Sequence, residues 1–275
     1  MPAMWPPDFE PCQDLSPAEW IRPRLLSWGA EMGTPVTSIV PGGYDAYVRV
    51  FHPAAPARFG SAATWQQVAD WSGRRFHPLA HEKLSVSVRA NPGPPPFSEA
   101  PLRGMLSTES EVCDTLVRQL SALTGTPSAC YFAIWERWGI LSGGWARFKA
   151  VAEGDEEPDT LDDDIARWQE QVAQLPRLEH QYRSYLVGRG PIGVACELDS
   201  HLLGPEPSPE LGLTPQLWWP EDRAWVVATE IDFDSTIVAT TTAGAEALLD
   251  CEGLEALLVP ADGRLDEGGD DINLP

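Results

Sequence analysis

Three carboxylates at alternate positions come closest to chemistry in this chain: Glu230, Asp232 and Asp234, in the run Ala228-Thr-Glu-Ile-Asp-Phe-Asp-Ser-Thr236. On an extended strand, positions i, i+2 and i+4 share one face, with neighbours roughly 7 Å apart. A regular strand at that spacing cannot bring all three onto one ion. A turn at Asp234-Ser235 would fold Asp232 and Asp234 together, and an apolar strand ending in Asp-x-Asp is one way to hold a divalent cation on a diphosphate. The simpler alternative is a half-buried hairpin, with Glu230, Asp232 and Thr236 on its polar face and Val227, Ile231 and Phe233 in the core.

A second candidate precedes it. Trp218-Trp219-Pro-Glu-Asp-Arg-Ala-Trp225 places aromatic rings beside Arg223 in a chain with 12 tryptophans. Exposed, such a cluster is a platform for a protein or a stacked ligand; buried, the rings fill a core and each ring N–H needs an acceptor. Arg223 could pair with Glu221, Asp222 or the acidic run. Trp218, Trp219, Arg223, Glu230, Asp232 and Asp234 are therefore the expected binding residues.

His77 and His81, four apart in Phe76-His-Pro-Leu-Ala-His-Glu82, have the spacing of paired metal ligands on a helix, but a metal site needs a third ligand and none is visible. Pro78 suits a first helical position and makes His77 a boundary residue. No nucleophile elbow, phosphate loop, dinucleotide fingerprint or His-Glu-x-x-His occurs, so no cofactor and no metal are expected and no catalytic residue is assigned.

Charge narrows the partners. Of 41 acids and 19 bases, residues 1–152 hold 13 of each, leaving 28 acids and 6 bases in residues 153–275 and the whole net charge of −22 there. Such a half repels nucleic acid and suits a basic protein partner, bound cations or plain solubility. The first 14 residues have neither a basic nor an apolar signal region, and no apolar run reaches the roughly 20 residues a membrane helix needs. A cytoplasmic location with no membrane partner is expected. The five cysteines (Cys12, Cys113, Cys130, Cys196 and Cys251) are scattered without a Cys-x-x-Cys and are expected to be free thiols.

The elements that must position these residues read as follows. Thr34–Val40 and Tyr44–Phe51 are expected strands around the hairpin signal Pro41-Gly-Gly43. Thr64 caps a short helix, TWQQVADW. Thr108-Glu-Ser-Glu111 is a capping box for a helix through Leu123. Ala129–Glu136, Trp145–Ala152 and Tyr182–Val187 read as strands. Leu161, Ile165, Trp168, Val172 and Leu175 mark a second amphipathic helix, entered from the acid-rich segment 153–164. Pro191 opens a helix over Ile192–Leu203, residues 218–240 read as strand, turn, strand, and Thr241 or Thr242 caps Ala243–Asp250. Leu254–Val259 is a last strand. Mixed elements without a β-α-β rhythm give an α+β class with a mostly antiparallel sheet. The expected organisation is a region 1–90 packed on a main domain 107–260, followed by a disordered acidic tail 261–275.

Three stretches carry a resemblance: Tyr131–Gly139 (YFAIWERWG), Ser184–Ile192 (SYLVGRGPI) and Leu217–Thr236 (LWWPEDRAWVVATEIDFDST). Together they resemble a group of uncharacterised actinobacterial proteins with aromatic-rich strands and an Asp-Arg-Ala-Trp segment. The resemblance covers about residues 110–260, implies a similar fold and supplies no catalytic residue. In general character the chain is also similar to bacterial immunity-type proteins that neutralise toxin partners. The expected function is a non-catalytic binding protein, an immunity-like protein or adaptor, that engages a basic protein through the acidic half. The alternatives are an enzyme using Glu230, Asp232 and Asp234, with or without a divalent cation, and a structural subunit of a larger assembly.

Overall fold

The computed structural model describes residues 5–27, 33–54, 63–85, 93, 110–137, 141, 163–180, 183–202 and 214–274. The expected strand Trp145–Ala152, the capping box at Thr108 and the acid-rich segment to position 162 lie outside them.

The protein is α+β. Among the described residues its sheet has nine strands: β1 (Glu10–Pro11), β2 (Ala46–Phe51), β3 (Cys130–Trp135), β4 (Leu178–His180), β5 (Arg183–Gly190), β6 (Leu217–Pro220), β7 (Val226–Thr229), β8 (Ser235–Thr240) and β9 (Glu255–Leu258). Every strand pair is antiparallel. The spatial order is β1-β5-β3-β6-β7-β8-β2-β9, and β4 pairs with β5. β2 thus comes from the N-terminal region yet lies between β8 and β9, so one sheet draws its strands from both expected regions.

Both faces of the central strands are covered, which is why they read as nearly continuous apolar runs such as Cys130-Tyr-Phe-Ala-Ile-Trp135. Phe132, Ile134, Trp218, Val227 and Val238 face a helical layer. It comprises α3 (Ser110–Ser121), α4 (Asp163–Ala173), α5 (Val194–Leu202) and α6 (Thr242–Leu249), which contribute Leu116, Leu120, Val172, Leu198 and Leu248. The alternate residues Tyr131, Ala133, Trp219, Val226 and Ile237 face a second core closed by Ala18, Ile21, Val36, Val40, Val259 and Leu265, from segments near both ends of the chain that hold short 3-10 turns and loops in place of α-helix. A smaller cluster joins Phe51 to Trp65 and Val68 of α1 (Trp65–Ser72), which the one-turn α2 (Glu82–Ser85) follows in the chain. Among the described residues, no helix is long and apolar enough to cross a membrane.

Local signals worked where a side chain meets its own backbone. Thr64 and Gln67 form a reciprocal capping box on α1, and Gly73 ends that helix in the left-handed region (φ 71°). Thr241 accepts the Gly244 N–H and starts α6. Thr34–Val40 departs from expectation: its centre is a 3-10 turn over Val36–Ser38. The Ser38 hydroxyl bonds the Pro35 carbonyl at 2.6 Å, and the Val36 and Thr37 amides donate to Gly263 and Ala261 instead of a strand partner. Pro41-Gly-Gly43 therefore closes no hairpin. Nor is the end of the chain a disordered tail. Residues 263–273 bond to the segments 34–36 and 75–81, with Leu265, Asp270 and Asn273 buried.

Candidate functional site

The acidic run is not one strand face. β7 stops at Thr229, the chain turns through Glu230–Asp234 with the Phe233 amide donating to the Glu230 carbonyl at 3.1 Å, and β8 begins at Ser235. The turn sends the three carboxylates to different places. Glu230 and Asp234 are buried, whereas the Asp232 side chain is 74% exposed. Ile231 enters the helical-side core and Phe233 packs against the opposite one.

Each carboxylate has an arginine. Arg183, on β5, donates from one terminal nitrogen to both Glu230 and Asp232 (3.0 Å to the latter), while its guanidinium lies over the Trp135 ring at 4.9 Å. Asp234 accepts from the other arginine, Arg49 on β2, at 2.8 Å. Arg49 is 1% exposed and bonded through all three of its nitrogens: its Nε donates to the Ser235 hydroxyl, its other terminal nitrogen to the Pro78 and Ala80 carbonyls, and its plane rests on the Phe51 ring. A guanidinium therefore occupies the place beside these carboxylates that a cation would need. On the helical side of the same strands, His52 Nε2 lies 2.9 Å from the Thr236 hydroxyl, which lies 2.8 Å from that of Thr229. His52 Nδ1 is buried with no hydrogen-bond partner among the described residues. Burial drives the His52 ring down to about 4.

Beneath Glu230, a cavity of about 10 Å³ is lined by Ser38, His180, Tyr185, Gln216, Thr229 and Glu230. That is room for a single water and not for a substrate. Burial lifts the Glu230 carboxyl above its usual range, with the Arg183 hydrogen bond working against the rise. Burial, with Glu230 nearby, pushes the Tyr185 phenol well above its ordinary range, and burial lowers His180. Burial thus disfavours charge on each of these three groups, and for Glu230 the Arg183 ion pair opposes it.

The tryptophans do not form a platform. Trp218 and Trp219 leave β6 on opposite faces, and each is at most 2% exposed. Trp218 packs edge-on against Trp225 (5.1 Å between centroids), and the Trp225 ring N–H finds the Leu120 carbonyl at 3.0 Å. Trp219 stacks on Tyr131 at 5.7 Å. Arg223 instead sits over Trp20 from the N-terminal segment, at 4.8 Å, and Trp20 meets Trp219 edge-on. Arg223 is the only non-glycine described residue with positive φ (57°). The turn that bends it is held by Asp222, which accepts from the Thr124 hydroxyl and from the Gly125 and Ala224 amides.

His77 and His81 do not share a helix face. Both turn onto Asp270, which is fully buried: His77 Nε2 meets one of its oxygens at 2.7 Å and the His81 amide the other at 2.9 Å. The Leu79 amide points at His77 Nδ1, which makes Nε2 the donor to Asp270. Although burial works against its charge, Asp270 is held down at about 2 by His77, His81 and Asn273. Among the described residues, no group of three or more His, Cys, Asp or Glu side chains is placed to hold a metal ion.

Arg49, Arg183, Trp20 and His52 were not singled out by sequence. Arg49 alone had a signal, as the one charge in the apolar strand Tyr47-Val-Arg-Val-Phe51. No protein-family model, no curated protein and no solved structure matches the chain.

Proposed function

We propose that this is a non-catalytic binding protein that engages a basic protein partner through the acidic surface of its C-terminal half. One observation carries the proposal. Across residues 214–274, nine carboxylates are exposed (Glu221, Asp222, Asp232, Glu246, Asp250, Glu252, Asp262, Glu267 and Asp271), against two exposed basic side chains, Arg223 and Arg264, the latter paired with Asp266. A surface of one sign steers an oppositely charged partner and sets the salt dependence of the complex. The buried groups support the same reading from the other side. Glu230 and Asp234 are spent on internal arginines, and the cavity that Glu230 borders has room for one water, so no observation favours an enzyme at this position.

The contact residues on this reading are Asp232 and the α6 group Glu246, Asp250 and Glu252, in place of Trp218, Trp219 and Asp234. The test is affinity capture from the native host at low ionic strength, with the wild-type chain and with a variant carrying Asp232→Lys, Glu246→Lys and Asp250→Lys. The wild type should retain a basic protein that elutes at a few tenths molar salt, and the variant should lose it while keeping the wild-type unfolding temperature. Equal capture by both, or none by either, would end the proposal.

A further inference from the structure

Cys113 on α3 and Cys196 on α5 approach each other across the helical layer with their sulfurs 2.7 Å apart. That is well inside van der Waals contact for two unbonded sulfurs and a small movement from the roughly 2.05 Å of an S–S bond. The two residues are 83 positions apart in sequence, so the approach is a product of the fold. Cys113 is 2% exposed within the main core, and Cys196 is half-buried at its margin. The remaining cysteines, Cys12, Cys130 and Cys251, have no such neighbour among the described residues.

We propose that Cys113 and Cys196 are a redox modification site: a dithiol that a low-molecular-weight disulfide converts into an intramolecular bond fastening α3 to α5. Accessibility sets the order of events. Cys196, the more exposed thiol, attacks one sulfur of the small disulfide as thiolate, forming a mixed disulfide and releasing the first small thiol. Cys113 then attacks the Cys196 sulfur, forming the Cys113–Cys196 bond and releasing the second. Two electrons pass from the protein dithiol to the small disulfide, and the two protons lost by the protein end on the two released thiols. The hydrogen bond with Cys113, burial and the nearby Asp114 carboxylate all hold Cys196 in its protonated form, which makes capture slow. A buried resolving partner already in contact makes the closed product favourable once capture has occurred.

The full chain tests this when it is refolded in glutathione buffers running from reducing to oxidising, so that slow capture cannot hide the equilibrium. At the oxidising end its intact mass should fall by two hydrogens, titratable thiols should drop from five to three, and peptide mapping should join Cys113 to Cys196. Closing so long a loop should raise the unfolding temperature by on the order of 5–10 °C. Cys196→Ser, which lacks the capturing thiol, should retain all four of its thiols in the same buffers, whereas Cys113→Ala, which lacks the resolving one, should stop at the mixed disulfide with one glutathione on Cys196 and three titratable thiols. In the wild-type chain, five titratable thiols throughout, a persistent glutathione adduct on Cys196, or a bond mapped to another pair would overturn the proposal.

Discussion

Arg49 and Asp234, 185 residues apart in the chain, meet at 2.8 Å with both side chains almost wholly buried. Breaking such a pair from one side leaves an uncompensated charge in the core, so Asp234→Ala should cost about 3–5 kcal/mol in urea unfolding. Replacing both partners, as Arg49→Met with Asp234→Leu, should cost far less than the two single changes summed. A loss below about 1 kcal/mol for Asp234→Ala would show that the guanidinium is held by its carbonyl and hydroxyl acceptors alone.

His52 links stability to acid. Its ring is brought from 6.5 down to about 4 by burial, so the unfolded chain takes up a proton at higher pH than the folded one. Between those two values the unfolded state binds more protons, and stability must fall as pH falls. The contribution is fully present above pH 6.5, and its loss, about 3 kcal/mol, is complete near pH 4. His52→Gln should be less stable at neutral pH but should lose most of this slope, as read from denaturant midpoints at pH 7, 5.5 and 4.5. An unchanged slope would assign the acid sensitivity elsewhere.

The C-terminal segment is structural. Asp270 receives His77, the His81 amide and both Asn273 donors, and the Asn273 side chain in turn bonds the Arg75 backbone twice. Ending the chain at Asp262 should therefore destabilise it by about 3 kcal/mol or more and expose the 74–81 segment to proteolysis. Asp270→Ala alone should reproduce much of the loss. A truncated chain with wild-type stability and protease resistance would contradict this.

Gly188 of β5 is a matter of space. A Cβ there would stand 2.0 Å from the Phe9 ring, which seals the N-terminal segment onto β3. Gly188→Ala should cost about 1–3 kcal/mol through overpacking, and combining it with Phe9→Ala should be less harmful than the sum of the two. Additive losses in thermal unfolding would place the strain in the backbone instead.

These relationships mark where the sequence was legible. The Thr64–Gln67 box, the Thr241 cap, the apolar strand 130–135 and the amphipathic spacing through Trp168 and Val172 are local, and each appears where its pattern puts it. The α+β class follows from them. The acidic run read as one face of a strand, and it is a turn between two strands. Acid-apolar alternation at 230–234 resembles a strand because turns also favour Asp and Ser, and only the partners decide between the two. Those partners, Arg183 and Arg49, are 47 and 185 residues away and leave no trace in the run itself. The same applies to Trp218 and Trp219: neighbours in sequence must point to opposite faces of a strand, and they become a platform only if one face is bare. Here both faces are covered, one of them by segments with no regular periodicity.

The insertion of β2 between β8 and β9 also sets a timetable. Its residues leave the ribosome early, whereas the strands on either side of it belong to the last 41 positions of the chain. At ordinary synthesis rates of about 5–20 residues per second, Arg49 waits roughly 10–40 s for Asp234. Throughout that interval the backbone of an apolar strand has neither of its native neighbours, and the newborn chain must be kept from pairing with others of its kind.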